Sequence, residues 1–160
     1  MNGLDYIEGQ GQKEIYICSE TGKTFSNLKP LWRNPKTDSH LLLPLSDGLR
    51  PNEINTKERS IWRYSKAIRV ERDKAVSLGE GLTPLVKDCW NGINIKMKLE
   101  YFSPSGSFKD RGSSVMISHL MSRGVREIFL DSSGNAGSSV ALYAALAKIA
   151  CTILVPSSTS

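Results

Sequence analysis

The chain has 160 residues, 39% hydrophobic and 23% charged, enough for one domain with a core and ordinary for a soluble fold. It contains no run of ~18 or more apolar residues that could span a membrane. Its start, MNGLDYIEGQ, lacks the basic and apolar regions of a secretion signal. A net charge of +5, from 21 Lys and Arg against 16 Asp and Glu scattered along the chain, suits anionic small molecules and supports nucleic-acid affinity only weakly, so no nucleic-acid partner is expected.

The first part, to about residue 56, is rich in turns: Ser19-Glu20-Thr21-Gly22, Asn34-Pro35 and Ser46-Asp47-Gly48. The runs Ile15-Tyr16-Ile17 and Leu41-Leu42-Leu43 are short strand candidates between them. Ile61, Tyr64 and Ile68 share one helical face, so the spacing predicts a short helix over 57–68. The loop Ser77-Leu78-Gly79-Glu80-Gly81 separates this arm, residues 1–78, from a second region, 79–160. The cysteines, Cys18, Cys89 and Cys151, are odd in number and far apart. That predicts a reducing, cytoplasmic setting and no structural metal. No internal repeat is visible.

From Thr83 the pattern alternates strand and helix. Thr83 to Val86 is a short extended piece, and Asn94 to Glu100 is a strand candidate with Ile95, Met97 and Leu99 alternating. Phe108 to Arg123 is a predicted helix with Met116, Ile117, Leu120 and Met121 on one side and Gly124 placed to cap it. Glu127 to Leu130 is predicted as a buried strand. An Ala-rich helix follows over 136–148, and the strand Cys151 to Val155 ends at Pro156. Parallel strands need such crossovers, so an α/β fold is expected, with ligands bound where strands give way to helices.

Two loops of small residues sit at such junctions. In Ser105-Gly106-Ser107-Phe108-Lys109-Asp110-Arg111-Gly112 a lysine opens a helix. The positive end of a helix disfavours a charged ammonium and favours the neutral amine that attacks aldehydes. The plain alternative is a lysine directed to solvent, with Asp110 and Asp131 offsetting its charge. In Ser132-Ser133-Gly134-Asn135-Ala136-Gly137 small side chains let backbone amides approach a carboxylate or phosphate. An ordinary turn capped by Ser133 or Asn135 fits that segment as well.

Taken together, the two loops resemble threonine synthase and its relatives, the fold-type-II pyridoxal-phosphate enzymes. Gly79-Glu80-Gly81-Leu82-Thr83-Pro84-Leu85-Val86 is similar to the segment that opens that fold. Lys98-Leu99-Glu100 before Ser103-Pro104 and the Ile61-Trp62-Arg63-Tyr64 segment are similar to its other parts. The resemblance runs from about residue 60 to 156. It implies an incomplete tryptophan synthase beta-like, three-layer α/β/α fold with an irregular N-terminal arm.

The same resemblance implies pyridoxal 5'-phosphate as cofactor, bound covalently by Lys109, which then acts as the proton-moving base. It implies Asn135 against the cofactor's phenolic oxygen, Phe108 beside the cofactor (or in the core), and Ser132, Ser133 and Gly134 on the substrate carboxylate. Ser105 and Ser107 are either phosphate ligands or helix caps; Asp110 and Arg111 look like loop-fixing residues.

The implied reaction is O-phosphohomoserine and water to threonine and phosphate, with a small amino acid as partner and a homo-oligomer as the full-length form. Cysteate synthase and serine or threonine dehydratase are the neighbouring activities. A non-catalytic interaction or ligand-binding module, and a phosphate-binding α/β domain resting on 132–137, are the alternatives outside the family. Relatives often begin with a Cys-x-x-Cys knuckle, where Cys18-Ser19-Glu20-Thr21 supplies one thiol. The helix before Cys151 lacks the glycine that usually ends it. The sequence stops at Pro156-Ser-Ser-Thr-Ser, before the cofactor's phosphate loop, so this polypeptide alone is expected to be a poor enzyme with open apolar faces.

Overall fold

The computed structural model describes residues 15–28, 31–45 and 48–159. Residues 1–14, and Ser46 and Asp47 of the turn read at 46–48, lie outside them. Two compact units divide between Gly48 and Leu49, upstream of the boundary read at 78/79. Buried hydrogen bonds between residues 60–80 and the later helices account for the earlier division.

In the first unit Ile15–Cys18 (β1) pairs antiparallel with Thr24–Ser26 (β2) on one side and Leu41–Leu42 (β3) on the other. The two apolar runs read as strands form β1 and β3, while β2 was not expected.

The second unit begins irregularly. Where a helix was expected over 57–68 there is a single 3-10 turn, Ile61–Tyr64, capped by the Ser60 hydroxyl, which accepts from the Trp62 amide. Trp62 explains the brevity. Its ring is buried and its indole nitrogen donates to Ser114 Oγ at 2.9 Å, so distant packing rather than a helical period positions the segment. Glu80 is fully buried, its carboxylate accepting from the Leu78 amide at 2.9 Å, from Ser77 Oγ, and from the Tyr143 hydroxyl at 2.8 Å. Burial, and then the Glu80 carboxylate, hold the Tyr143 phenol well above its ordinary range. Gly81 sits at φ 120°, and a Cβ there would come within 2.7 Å of the Ile61 nitrogen. A side chain at 81 would drive the two segments apart.

The pieces read at 83–86 and 94–100 are partners. Leu85–Trp90 (β4) and Ile93–Lys98 (β5) form an antiparallel hairpin. Asn91 and Gly92, at φ 47° and 77°, make its two-residue turn, the conformation that suits the twist of a tight hairpin. This hairpin is a sheet of its own, so the strand read as the first of the parallel series does not join that series.

Lys109–Ser122 (α1), Glu127–Asp131 (β6), Asn135–Leu146 (α2) and Ala150–Leu154 (β7) follow in the expected order. β6 and β7 run parallel, joined through α2. Val76, Ile117, Val140, Tyr143, Ala144 and Ile149 form the core, with Leu120, Met121, Ile128, Leu130 and Cys151 packed against it. β6, expected to be buried, is covered on one face only: its own Phe129 and Leu154 on β7 are 65% and 56% exposed. The described residues are thus a small mixed α/β fold with its helices on one face of the parallel pair. Among them no helix is long and apolar enough to cross a membrane.

The buried face of α1 is mostly polar: Asp110, Ser113, Ser114 and Ser118 beside Ile117. Ser114 Oγ donates to the Val76 carbonyl and the Val76 amide donates to Ser118 Oγ, each at 2.7 Å. Two helix hydroxyls therefore grip the extended backbone before Glu80. Gly124 follows the last turn of α1 as expected, its amide bonded to the Met121 carbonyl and that of Val125 to Leu120. At the end of α2 the missing glycine is replaced by Lys148 in the left-handed conformation, φ 56°.

Lys148→Gly should therefore raise stability by about 1 kcal/mol, since the left-handed conformation costs L residues roughly 1–2 kcal/mol; a denaturant midpoint measures this. Glu58 yields a second expectation. Arg72, bonded to it at 2.6 Å, and then Ser60 lower its carboxyl to about 2 from 4.5. A group depressed by folding stabilises above its unfolded value, and the contribution is lost as pH falls through the folded one. Unfolding midpoints should drop between pH 4.5 and 2, and Glu58→Gln should flatten that limb of the curve.

Candidate active site

Lys109 is the first residue of α1 and is exposed, its ammonium 4.9 Å from the centre of the Phe108 ring. Phe108 is 55% exposed, so it is not part of the core. No carboxylate among the described residues pairs with the Lys109 amine. Asp110, expected to offset its charge, turns inward instead. Its wholly buried carboxylate accepts from the Ser105 amide at 2.7 Å, the Ser105 hydroxyl, and Ser139 Oγ at 2.6 Å. With that proton given to Asp110, Ser139 Oγ accepts from the Ser113 hydroxyl, 2.7 Å away. One carboxylate thus closes the lysine loop and fastens α1 to α2 near the starts of both helices.

Ser107 Oγ accepts from the Lys109 amide at 3.3 Å, a capping role, and Ser105 is committed to Asp110. Ser103, just before the loop, is buried, and its Oγ meets no partner among the described residues. Arg111 grips Glu100 with two nitrogens, at 3.0 and 2.9 Å, and reaches Thr83 Oγ1 at 3.2 Å. Thr83 in turn donates to Glu100 at 2.7 Å. The Arg111 guanidinium, chiefly, lowers the Glu100 carboxyl from its ordinary range. Thr83 of the opening motif and Glu100 after β5 are therefore locked to the first turn of α1, and Asp110 and Arg111 fix the loop as the sequence suggested.

In the second loop Ser132 Oγ accepts from the Gly137 amide at 3.0 Å, so Ser132 caps α2 in place of Ser133 or Asn135. Its hydroxyl proton remains available to a ligand. Gly137 is buried, and a Cβ there would come within 2.9 Å of the Ser132 carbonyl oxygen and 3.2 Å of Ile153. Only a hydrogen lets the helix start lie this close to the strand end. Ser133, Gly134 and Asn135 are exposed. Ser132, Ser133, Gly134, Gly137, Ser138, Ala141, Ile153 and Val155 line an open concavity of about 290 Å³. It takes in the three residues expected at the substrate carboxylate; Lys109, Phe108 and Asn135 are outside its lining. Ile153 and Val155 escaped the sequence reading, because an apolar residue at a strand end carries no functional signal.

Residues 76–160 match the family described as pyridoxal-phosphate dependent enzyme. The chain belongs to that family. It shares 33% identity over 148 residues with the threonine synthase of Methanosarcina acetivorans, covering 87% of this chain and 36% of that protein. With the threonine synthase of Methanocaldococcus jannaschii the identity is 35% over 119 residues, 70% of this chain and 29% of the relative. With that of Mycobacterium leprae it is 41% over 85 residues, 51% and 24%. The chain spans between about a quarter and a third of the length of these relatives. The family depends on pyridoxal phosphate, and the donor set fits such a group: an amine without an acid partner, a helix start bared by glycine, and hydroxyls and amides in the loop before it.

Ser139→Ala should lower stability by about 1.5–3 kcal/mol, the usual worth of a hydrogen bond to a charged group, read from a urea midpoint.

Proposed function

We propose that the whole protein is a lyase of the threonine synthase type, converting O-phosphohomoserine and water into threonine and phosphate, with Lys109 as the residue that holds the cofactor covalently. The observation that carries this reading is the placement of the Lys109 amine, exposed and free of carboxylate partners at the head of a helix whose next residue is anchored inward. That these relatives are threonine synthases supports the choice of reaction.

When bound, the cofactor supplies an electron sink for charge at the substrate's α and β carbons. The chain's own residues do the rest. The Lys109 amine takes and returns protons at those carbons, a role its exposure and its lack of an acid partner permit. Asp110, through Ser105 and Ser139, fixes the backbone from which that amine extends. Asn135 would meet the cofactor's ring oxygen with its side-chain amide, and Phe108 would lie beside the ring. Ser132, Ser133 and Gly134 receive the substrate carboxylate, with the amides at the start of α2 as donors.

Residues 79–160 are then the first part of the cofactor domain, preceded by an arm. The exposed face holding Phe129 and Leu154 is the one a second helical layer covers in a three-layer fold. The enzyme works in the cytoplasm as a homo-oligomer on a small amino-acid substrate.

Borohydride reduction after incubation with pyridoxal phosphate, followed by peptide mapping, tests the assignment. A single adduct on Lys109 is expected, lost in Lys109→Ala. In the whole protein that substitution should cut turnover of O-phosphohomoserine by at least about 10²–10⁴-fold. Equal labelling of the variant, or diffuse labelling of surface lysines, would remove Lys109 from the role.

A further inference from the structure

Two loops of the first unit repeat one backbone pattern. In the first, the Cys18 amide donates to the Lys23 carbonyl at 2.8 Å and the Gly22 amide to the Cys18 carbonyl at 3.0 Å. In the second, the Asn34 amide donates to the Ser39 carbonyl at 3.0 Å and the Asp38 amide to the Asn34 carbonyl at 2.9 Å. The fifth residue of each is left-handed: Gly22 at φ 69°, Asp38 at φ 57°. In each, the first side chain accepts from its own loop. Cys18 Sγ takes the Thr21 amide at 3.5 Å, and Asn34 Oδ1 takes the Lys36 amide at 2.9 Å. The sequences Cys-Ser-Glu-Thr-Gly and Asn-Pro-Lys-Thr-Asp share only their fourth residue, so this repeat is invisible in the sequence.

The two loops converge on a single atom. Asn34 Nδ2 donates to Cys18 Sγ at 3.1 Å, and Thr37 Oγ1 stands 4.0 Å from the same sulfur. Cys18 and Asn34 are both buried. The sulfur is surrounded by donors, the Thr21 side chain foremost and then that of Asn34, and its thiol is drawn down to about 6.

Paired loops that each offer their first and fourth side chains to one point have the x₂ spacing of a four-ligand tetrahedral zinc centre. The donors here do not fit one: a single thiol, an amide and two hydroxyls, where zinc wants thiolate or imidazole.

We infer that residues 18, 21, 34 and 37 occupy the ligand positions of a paired-knuckle metal site, and that hydrogen bonds to the Cys18 sulfur hold the two loops together in place of a metal ion. The unit then folds without metal, yet keeps a backbone cast for one. Restoring thiols at the other three positions should recreate the centre, with the thiol protons released as the ion binds.

The experiment is the full chain carrying Thr21→Cys, Asn34→Cys and Thr37→Cys together, titrated with Co(II) under reducing conditions. One Co(II) per chain is expected, with thiolate charge-transfer and tetrahedral d–d absorption that one equivalent of Zn(II) abolishes. The unsubstituted chain should show neither, and its melting should be unchanged by chelator. A triple variant that is unfolded without metal should fold when Zn(II) is added. Absence of the tetrahedral spectrum in a folded variant, failure of Zn(II) to rescue an unfolded one, or tetrahedral Co(II) in the unsubstituted chain would each overturn the inference. Asn34→Ala offers an independent check, because loss of the bridge should speed hydrogen exchange at the Thr21 and Lys36 amides at least tenfold. Unchanged exchange there would refute the bridging role.

Discussion

A carboxylate without water must find hydrogen-bond donors, and the second unit is arranged around how Asp110 finds them. Its partners come from the loop before α1 and from the second helix, α2. The donors are short side chains and one backbone amide, none of them charged. The acid therefore works as a hydrogen-bonded clasp rather than as half of an ion pair, and removing a donor would leave a buried acceptor undersatisfied. Lys109 is its immediate chain neighbour, so the backbone from which the exposed amine extends is held by an inward anchor one residue away. An exposed side chain and an anchored backbone coexist here because one residue is exposed and its neighbour is buried.

Glu80 does similar work at the other end of α2. Its carboxylate gathers Ser77, Leu78 and Tyr143, while its backbone carbonyl takes the Ile61 amide at 2.6 Å. Together with Gly81, this makes the motif at 79–86 a structural joint among the described residues. Its polar members fasten the incoming chain to the two helices, and Thr83 hands the connection on to Glu100 and Arg111. The likeness to the family rests partly on these residues because the lysine loop depends on the joints behind it.

Much of this was legible in the sequence. Both helices, the parallel strands β6 and β7, and the two small-residue loops follow from apolar spacing and turn chemistry, which are local. The hairpin carried a local signal too, Asn91-Gly92 between alternating apolar residues, but the strand before that turn was read too short. The helix expected over 57–68 failed for a different reason: Trp62 is placed by Ser114, far along the chain, and no local period reports such a bond. The clasp around Asp110 was equally hidden, since a serine on a helix face reads as solvent-facing until the opposite helix is known. At the candidate site, residue types were readable and their company was not. Ser132 is a cap as well as a loop hydroxyl, and Asn135 stands apart from the concavity its neighbours line.

The serine face of α1 has a thermal consequence. Heat capacity rises on unfolding mainly because apolar surface meets water, about +0.45 cal/mol/K per Å², while newly wetted polar surface subtracts about 0.26. A helix that buries Asp110, Ser113, Ser114 and Ser118 beside Ile117, with Leu120 and Met121 half-buried, exposes less of the first kind and more of the second than an all-apolar face would. Its docking therefore adds less curvature to the stability curve, and the geometry around Lys109 is held by forces that fade less on cooling than hydrophobic packing does.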